Sequence, residues 1–225
     1  MSQLEKNKDA RFIKIDSPHV RQELFILALR YNIKNFVETG THVGATVIHM
    51  AARNYFDIIF SVELSKHFID ILERDLHRGA ASFGVDISKV KIWGGDSVEK
   101  LPEMLSRVDG RAVFWLDAHY SSGETVRSEC YNCTMIKELE IIANHHIKDH
   151  VIAIDDMEQC LNGHADYPSI KELEDKILSI NSDYMITIKY NALFAEVPST
   201  APNVSDKAKE EFKNHPNYQG FMNNA

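Results

Sequence analysis

No window of the sequence approaches the ~18 consecutive apolar residues that a membrane-spanning helix needs. The opening stretch MSQLEKNKDARF is charged, unlike the apolar run of a secretory leader. Cysteine is scarce and odd in number: Cys130, Cys133 and Cys160. Without a leader, that usage suits a reducing cytoplasm, not a disulfide framework. A zinc site is not expected, because Cys130 and Cys133 form a lone CxxC with no second CxxC or HxxxH. The pair reads as packing at a helix start. Excess positive charge is also missing. The net charge of −8 argues against a nucleic-acid surface, though a local basic pocket for a phosphorylated small molecule stays open. Two nucleotide fingerprints are absent. Position 42 is histidine where GxGxxG would need glycine, and no Gly-Lys-Ser/Thr follows to make a P-loop. There is no internal repeat, low-complexity linker or break in composition.

What is present is a chain of 225 residues, 44% hydrophobic, long enough to bury a full core without staples. One domain is the economical expectation, with a core over about 20–197 and a polar, loosely ordered tail over 198–225. Residues 18–34 carry Val20, Leu24, Leu27 and Ala28 at helical spacing. Strand and helix patterns then alternate. Short apolar runs at KNFVETG, DIIFSVEL, VKIWGGDS, AVFWLDAH and HVIAIDD are each followed by a helical pattern. Ser65 and Thr134 are expected N-caps, Pro168 an early helical residue, and Pro102 an interruption. YMITIKYNALFAEVP reads as a hairpin turning near Asn191. The alternation predicts an α/β fold, a doubly wound and mostly parallel sheet covered on both faces, with an antiparallel strand at the end and an N-terminal helix.

In such a sheet, ligands bind beyond the carboxyl ends of the strands. An acid stands at or beside all five parallel strand tips: Glu38, Glu63, Asp96, Asp117 and the pair Asp155–Asp156. Capping explains one or two of these, but Asp96 and Asp156 lie among glycines or carboxylates and do not read as clear caps. In ETGTHVGAT, Gly40 permits a sharp turn and Gly44 lets a helix start close to a ligand. A GxxxG alone is weak. It gains weight from Glu63, 23 residues beyond Gly40, which is placed to accept ribose hydroxyls. Asp96, followed by Ser97, could take an adenine amino group.

FVETGTHVGAT, IFSVEL, GGDS, FWLDAH and VIAIDD, in this order and spacing, resemble class I S-adenosylmethionine-dependent methyltransferases. The last two resemble the metal-dependent branch that methylates sugar hydroxyls in macrolides, aminocoumarins and bacterial surface polysaccharides. SSGETVRSECYNCT and YPSI extend the likeness to the bacterial polysaccharide members, including the capsular GDP-heptose O-methyltransferase type. The resemblance implies a seven-stranded sheet and an S-adenosylmethionine site formed by Glu38, Thr39, Gly40, Thr41, Gly44, Thr46, Glu63, Leu64, Gly95, Asp96 and Ser97. It further implies one divalent cation, Mg²⁺ or Mn²⁺, on Asp117, Asp155 and Asp156.

Crowded carboxylates repel, and a hard cation with oxygen ligands relieves them. Such an ion would make an acceptor hydroxyl acidic enough to attack a methyl group. His119, two residues past Asp117 and on the same face of an extended chain, is the expected general base, with Tyr120 in reserve. The expected partner is a sugar or nucleotide sugar, with no nucleic acid and no membrane. A homo-oligomer is compatible with the sequence. Residues 120–133 read as a lid, and Arg127 and Lys137 as candidate diphosphate contacts, although ordinary surface charge accounts for each singly. His145, His146 and His150 read as helix-end histidines favoured by the dipole, and KELEDK as a solvated helix face. Two other classes compete: an NAD(P)-dependent oxidoreductase, which would need the missing GxGxxG, and a non-catalytic adenosyl-binding module, which would tolerate Asp117→Asn.

Overall fold

The computed structural model describes residues 18–82, 84–118, 133–163 and 166–200. The chain runs through α1 (Pro18–Arg30), β1 (Asn35–Thr39), α2 (Ala45–Ala52), β2 (Ile58–Glu63), α3 (Lys66–Ser82), β3 (Val90–Gly94), α4 (Ser97–Leu105), β4 (Ala112–Leu116), α5 (Met135–Asn144), β5 (Val151–Ile154), α6 (Met157–Asn162), α7 (Ile170–Ile180), β6 (Met185–Lys189) and β7 (Ala192–Glu196). The seven strands form one sheet in the order β3-β2-β1-β4-β5-β7-β6. β1 to β5 pair in parallel, and β7 runs antiparallel to both β5 and β6. The expected doubly wound sheet with a reversed last strand is the fold observed.

The alternation of side chains explains why both faces are covered. Along β4, Val113 and Trp115 enter the layer with Phe36, Leu24 and Phe194. Ala112, Phe114 and Leu116 enter the opposite layer with Leu101, Leu139 and Ile154. All five β4 residues are buried, as a parallel strand between two helical layers requires. The predicted apolar stripe of α1 holds: Val20, Leu24, Leu27 and Ala28 are all buried. α1 packs on β4 and β5, and Glu196 of β7 ties its end down by accepting from Arg30 at 2.9 Å and from Tyr31 Oη at 2.6 Å.

Several local readings change. α6 is a helix that the sequence pattern did not announce. Thr134 does not cap α5 with its side chain. Its hydroxyl donates to the Ala118 carbonyl at 2.7 Å, tying α5 to the end of β4. Pro168 stands outside α7. Ser169 is the cap, in a capping box with Glu172. α4 runs unbroken through Pro102. The hairpin turns at Tyr190 and Asn191, both at positive φ (56° and 61°), as a tight right-twisting hairpin demands. A 3₁₀ turn at Pro198–Thr200 receives Arg111, whose Nη1 donates to the Thr200 hydroxyl at 2.9 Å. Residues 201–225, most of the expected tail, lie outside the described residues.

Candidate functional site

The strand registers level the tips that matter. Thr39 pairs with Val62 on one side and Leu116 on the other, Glu63 with Gly94, and Leu116 with Ile154. The loops after β1, β2, β3, β4 and β5 therefore leave the same edge of the sheet. Between β1 and β4 the winding direction reverses, so the loops that follow these two strands part and leave a crevice. A cavity of about 220 Å³ occupies it, lined by Val20, Arg21, Glu38, Gly40, Thr41, His42, Val43, Ala45, Thr46, Trp115, Asp117, Asp155 and Tyr190.

The floor is built by glycine. Gly40 has φ 84°, and a Cβ there would lie 2.8 Å from the Asp117 carbonyl carbon. Asp117 N in turn donates to the Thr39 carbonyl at 3.0 Å. The β1 loop thus lies directly on the β4 tip. Gly44, also at positive φ, begins α2 with its open side against Leu72 of α3, where a Cβ would come within 2.8 Å of Cδ2. Its smallness serves helix packing here. Position 42, where the dinucleotide fingerprint would have glycine, is a histidine in the left-handed region at φ 50°. That backbone costs roughly 1–2 kcal/mol for a side chain. Two contacts hold it: His42 N donates to Glu63 Oε2 at 2.7 Å, and the His42 ring meets Phe68 edge-on at 4.2 Å between centroids.

Glu63 is buried at the β2 tip, and its second oxygen accepts from Ser65 N at 2.8 Å. The carboxylate therefore braces the β1 loop against the β2 loop as well as standing where ribose hydroxyls are expected. Asp96 is a true N-cap, contrary to the sequence reading: its Oδ1 accepts from Val98 N at 2.8 Å. Ser97 is 4% exposed, and its hydroxyl has no partner among the described residues. Gly95, at φ 135°, donates to the Glu63 carbonyl, which joins the β2 and β3 tips. Leu64 is half-buried beside them.

Glu38 is the most perturbed acid at the cavity. It is 1% exposed, and its Oε2 accepts from Ser61 Oγ at 2.6 Å. Ser61 Oγ in turn lies 2.6 Å from Thr41 Oγ1. Burial pushes the carboxyl up to about 8, with help from the Glu63 charge, while hydrogen bonds from Ser61 and Thr46 and the charge of Arg21 act the other way. At neutral pH the ligand-free protein keeps a proton there.

On the opposite wall, Asp117 and Asp155 share the cavity. Asp156 does not line it. It starts α6 with φ 59°, is buried, and its Oδ1 meets Asn191 Nδ2 at 3.5 Å. Among the described residues, no group of three His, Cys, Asp or Glu side chains is assembled to hold a metal ion. The all-oxygen pair Asp117–Asp155 fits Mg²⁺ or Mn²⁺ chemistry in part, and the three-carboxylate set expected from the sequence is not gathered. His119, Tyr120, Arg127 and Cys130 lie outside the described residues, as does most of the expected lid.

Other expected groups resolve as structure. Cys133 and Cys160 pack in the same apolar layer. Burial pushes their thiols up, to about 11 and about 12, so neither is an activated nucleophile. Lys137 donates to Glu140 at 2.9 Å, one turn along α5. His150 is fully buried at the opposite end of the sheet from the cavity, where its Nδ1 accepts from Ala112 N. Its role is pairing with the backbone and with His145, not with the helix dipole. Arg21, Trp115 and Tyr190 line the cavity without having been singled out, because they arrive from separate elements. His42 was marked in the sequence only as the residue that breaks GxGxxG.

Among the described residues no helix is long and apolar enough to cross a membrane. Comparison with protein-family models and with curated proteins gives no match. Comparison with solved structures gives many. An O-methyltransferase from Bacillus cereus, in complex with SAH, superposes with a TM-score of 0.56 at 15% identity, covering 86% of this chain and 88% of that one. An O-methyltransferase of tomaymycin synthesis from Streptomyces achromogenes, in complex with SAM, gives 0.55 at 16%, covering 81% of each. A TDP-rhamnose 3′-O-methyltransferase of calicheamicin biosynthesis gives 0.54 at 14%, covering 87% of each. At these identities the likeness establishes architecture: this chain has the Rossmann-like fold of class I S-adenosylmethionine-dependent methyltransferases.

Proposed function

We propose that the chain transfers a methyl group from S-adenosylmethionine to a hydroxyl of a sugar or nucleotide-activated sugar, assisted by a divalent cation. The observation that carries this reading is the cavity at the β1–β4 switch point, where a glycine loop and a buried acid face two carboxylates. The adenosine end would lie across Glu63, Leu64, Asp96 and Ser97, where the Ser97 hydroxyl has no protein partner among the described residues. The amino-acid end would enter the cavity over Gly40 and Thr41. Glu38, Glu63, Asp117 and Asp155 stand at or beside the strand tips of this edge, which agrees with a ligand carrying a sulfonium and an ammonium.

S-adenosylmethionine supplies an electrophilic methyl carbon on a positive sulfur. Asp117 and Asp155 are the residues that would hold the cation, which would make an acceptor hydroxyl more acidic. The chain's own work is positioning. Gly40 against Asp117 fixes the distance between the cofactor loop and the acceptor wall, and placing the acceptor oxygen in line with the S–CH₃ bond accounts for several kcal/mol of barrier. Trp115 and Val20 give the cavity apolar walls, which favour a step in which the sulfonium charge disappears. His119 remains the proposed base that takes the hydroxyl proton. The sugar acceptor draws support from the TDP-rhamnose enzyme among the structural neighbours.

The test is calorimetric titration of the protein with S-adenosylhomocysteine, followed by methyl-transfer assays against a panel of nucleotide sugars with and without EDTA. Cofactor binding, and transfer abolished by EDTA and restored by Mg²⁺ or Mn²⁺, are expected. Turnover that persists after complete metal removal overturns the cation, and tight NADH binding in place of S-adenosylhomocysteine overturns the reaction class.

A further inference from the structure

The cavity is unbalanced in charge. Glu38, Asp117 and Asp155 line it, and Arg21 is the one Lys or Arg among its described lining residues. Arg21 belongs to the first turn of α1, and the buried face of that helix seats it over β4 and β5. The position is further held by Tyr190, at the tip of the β6–β7 hairpin, whose ring packs against His19 at 5.7 Å in an edge contact. Arg21 is close enough to Glu38 for its charge to act on that carboxyl.

We propose that Arg21 anchors the carboxylate of the cofactor's amino-acid end, while the acids of the cavity take its ammonium. This rests on the methyl-transfer reading above and adds a positioning residue to it. The amino-acid tail of an S-adenosyl sulfonium bears a carboxylate and an ammonium on one carbon, so its binding site needs both signs of charge within a few ångströms. Acids alone would hold the ammonium and repel the carboxylate. Arg21 from α1 and, once binding releases its proton, Glu38 from β1 bring the two signs into the same space from separate elements. A guanidinium offers two parallel N–H donors, which match a carboxylate in a way a lysine ammonium does not. An anionic acceptor is the other claimant to Arg21. It is disfavoured by place: the acceptor wall carries Asp117 and Asp155, whereas Arg21 acts on Glu38 beside the glycine loop.

The experiment compares two ligands on three proteins. S-adenosylhomocysteine carries the full tail, and its decarboxylated analogue keeps the ammonium and lacks only the carboxylate. Each is titrated calorimetrically into the wild type, Arg21→Ala and Arg21→Lys, with thermal melts to confirm folding. Arg21→Ala is expected to weaken S-adenosylhomocysteine about 10- to 100-fold, the range for a hydrogen bond between charged groups, and to leave the analogue unchanged within about 2-fold. Arg21→Lys restores part of the loss. Equal loss on both ligands, or no loss on either, overturns the anchor. So does an unchanged affinity for S-adenosylhomocysteine combined with a raised KM for an anionic acceptor. If the wild type binds neither ligand, the methyl-transfer reading itself falls. If it binds both equally, only the role of Arg21 falls.

Discussion

Gly40 and Asp117 touch through their backbones. The glycine's missing side chain is the space that the Asp117 carbonyl group occupies. The β1 loop and the β4 tip are therefore one rigid unit, and the glycine-loop side and the carboxylate side of the cavity share it.

Gly40→Ala tests that unit. The new Cβ meets backbone on one side and a left-handed φ of 84° on the other, and neither can relax cheaply. The expected outcome is a loss of about 1–3 kcal/mol of stability in denaturant unfolding, with at least about 10-fold weaker S-adenosylhomocysteine binding in calorimetry.

The two cavity carboxylates and Asp156 are expected to behave differently. Asp117→Asn and Asp155→Asn each lower methyl transfer by about 100-fold or more, equivalent to about 2.7 kcal/mol of barrier, while S-adenosylhomocysteine still binds. Asp156→Asn, outside the cavity and against Asn191, lowers it far less. Equal losses at all three positions would mean that the three carboxylates do act on one ion.

Glu38 sets a pH dependence of the ligand-free protein. Its carboxyl is held near 8 in the fold and returns to the usual carboxylate value on unfolding. The folded state then binds more protons, so its stability falls as pH rises from about 4.5 toward 8, by at most ~1.4 kcal/mol per pH unit. Glu38→Gln removes this fall in a series of chemical melts. In calorimetry near pH 7, repeated in buffers of different ionisation enthalpy, ligand binding is expected to release a proton in the wild type and none in the variant.

His150 works in the opposite direction. Burial pushes its imidazole down to about 3, with the nearby His145 charge adding to the effect. Its Nδ1 accepts from Ala112 N at 3.0 Å, and its Nε2 lies 2.9 Å from His145 Nδ1. The unfolded chain takes up the proton first, so stability is complete above about pH 6.5 and is lost as pH falls from there toward 3. His150→Asn, which keeps an acceptor for Ala112, is expected to flatten that acid limb in thermal melts.

Asn191→Gly probes why α6 exists. Asn191 Oδ1 accepts from Glu158 N at 2.6 Å, and its carbonyl accepts from Met157 N at 2.9 Å. The hairpin turn thus caps a helix about thirty residues earlier in the chain. Glycine keeps the left-handed backbone and removes the side-chain cap, so a loss of about 1 kcal/mol is expected. Faster amide exchange confined to α6 would accompany it.

The helices other than α6, the strands, their order and the reversed end were legible in the sequence, because periods of 3.6 and 2 are local and both faces of this sheet are buried. The strand-tip acids were legible for the same reason: an apolar run that stops at a carboxylate shows where a strand leaves the core. Caps were less legible. Asp96 looked functional and is also a cap, and Thr134 looked like a cap and instead bonds to Ala118. Local patterns do not say which of two nearby donors a side chain meets. α6 escaped notice because its cap comes from Asn191. Arg21, Trp115 and Tyr190 could not be joined to Glu38 on paper, since the chain from Arg21 to Tyr190 spans nearly the whole fold. Burial and periodicity are properties of neighbouring residues, so the amino-acid order alone determined the sheet and its carboxyl edge. Convergence depends on crossing directions and helix seating. Only the folded chain decided that Asp117 and Asp155 share a cavity, that Asp156 turns toward Asn191, and that Arg21 lines the same cavity as the buried acid at the β1 tip.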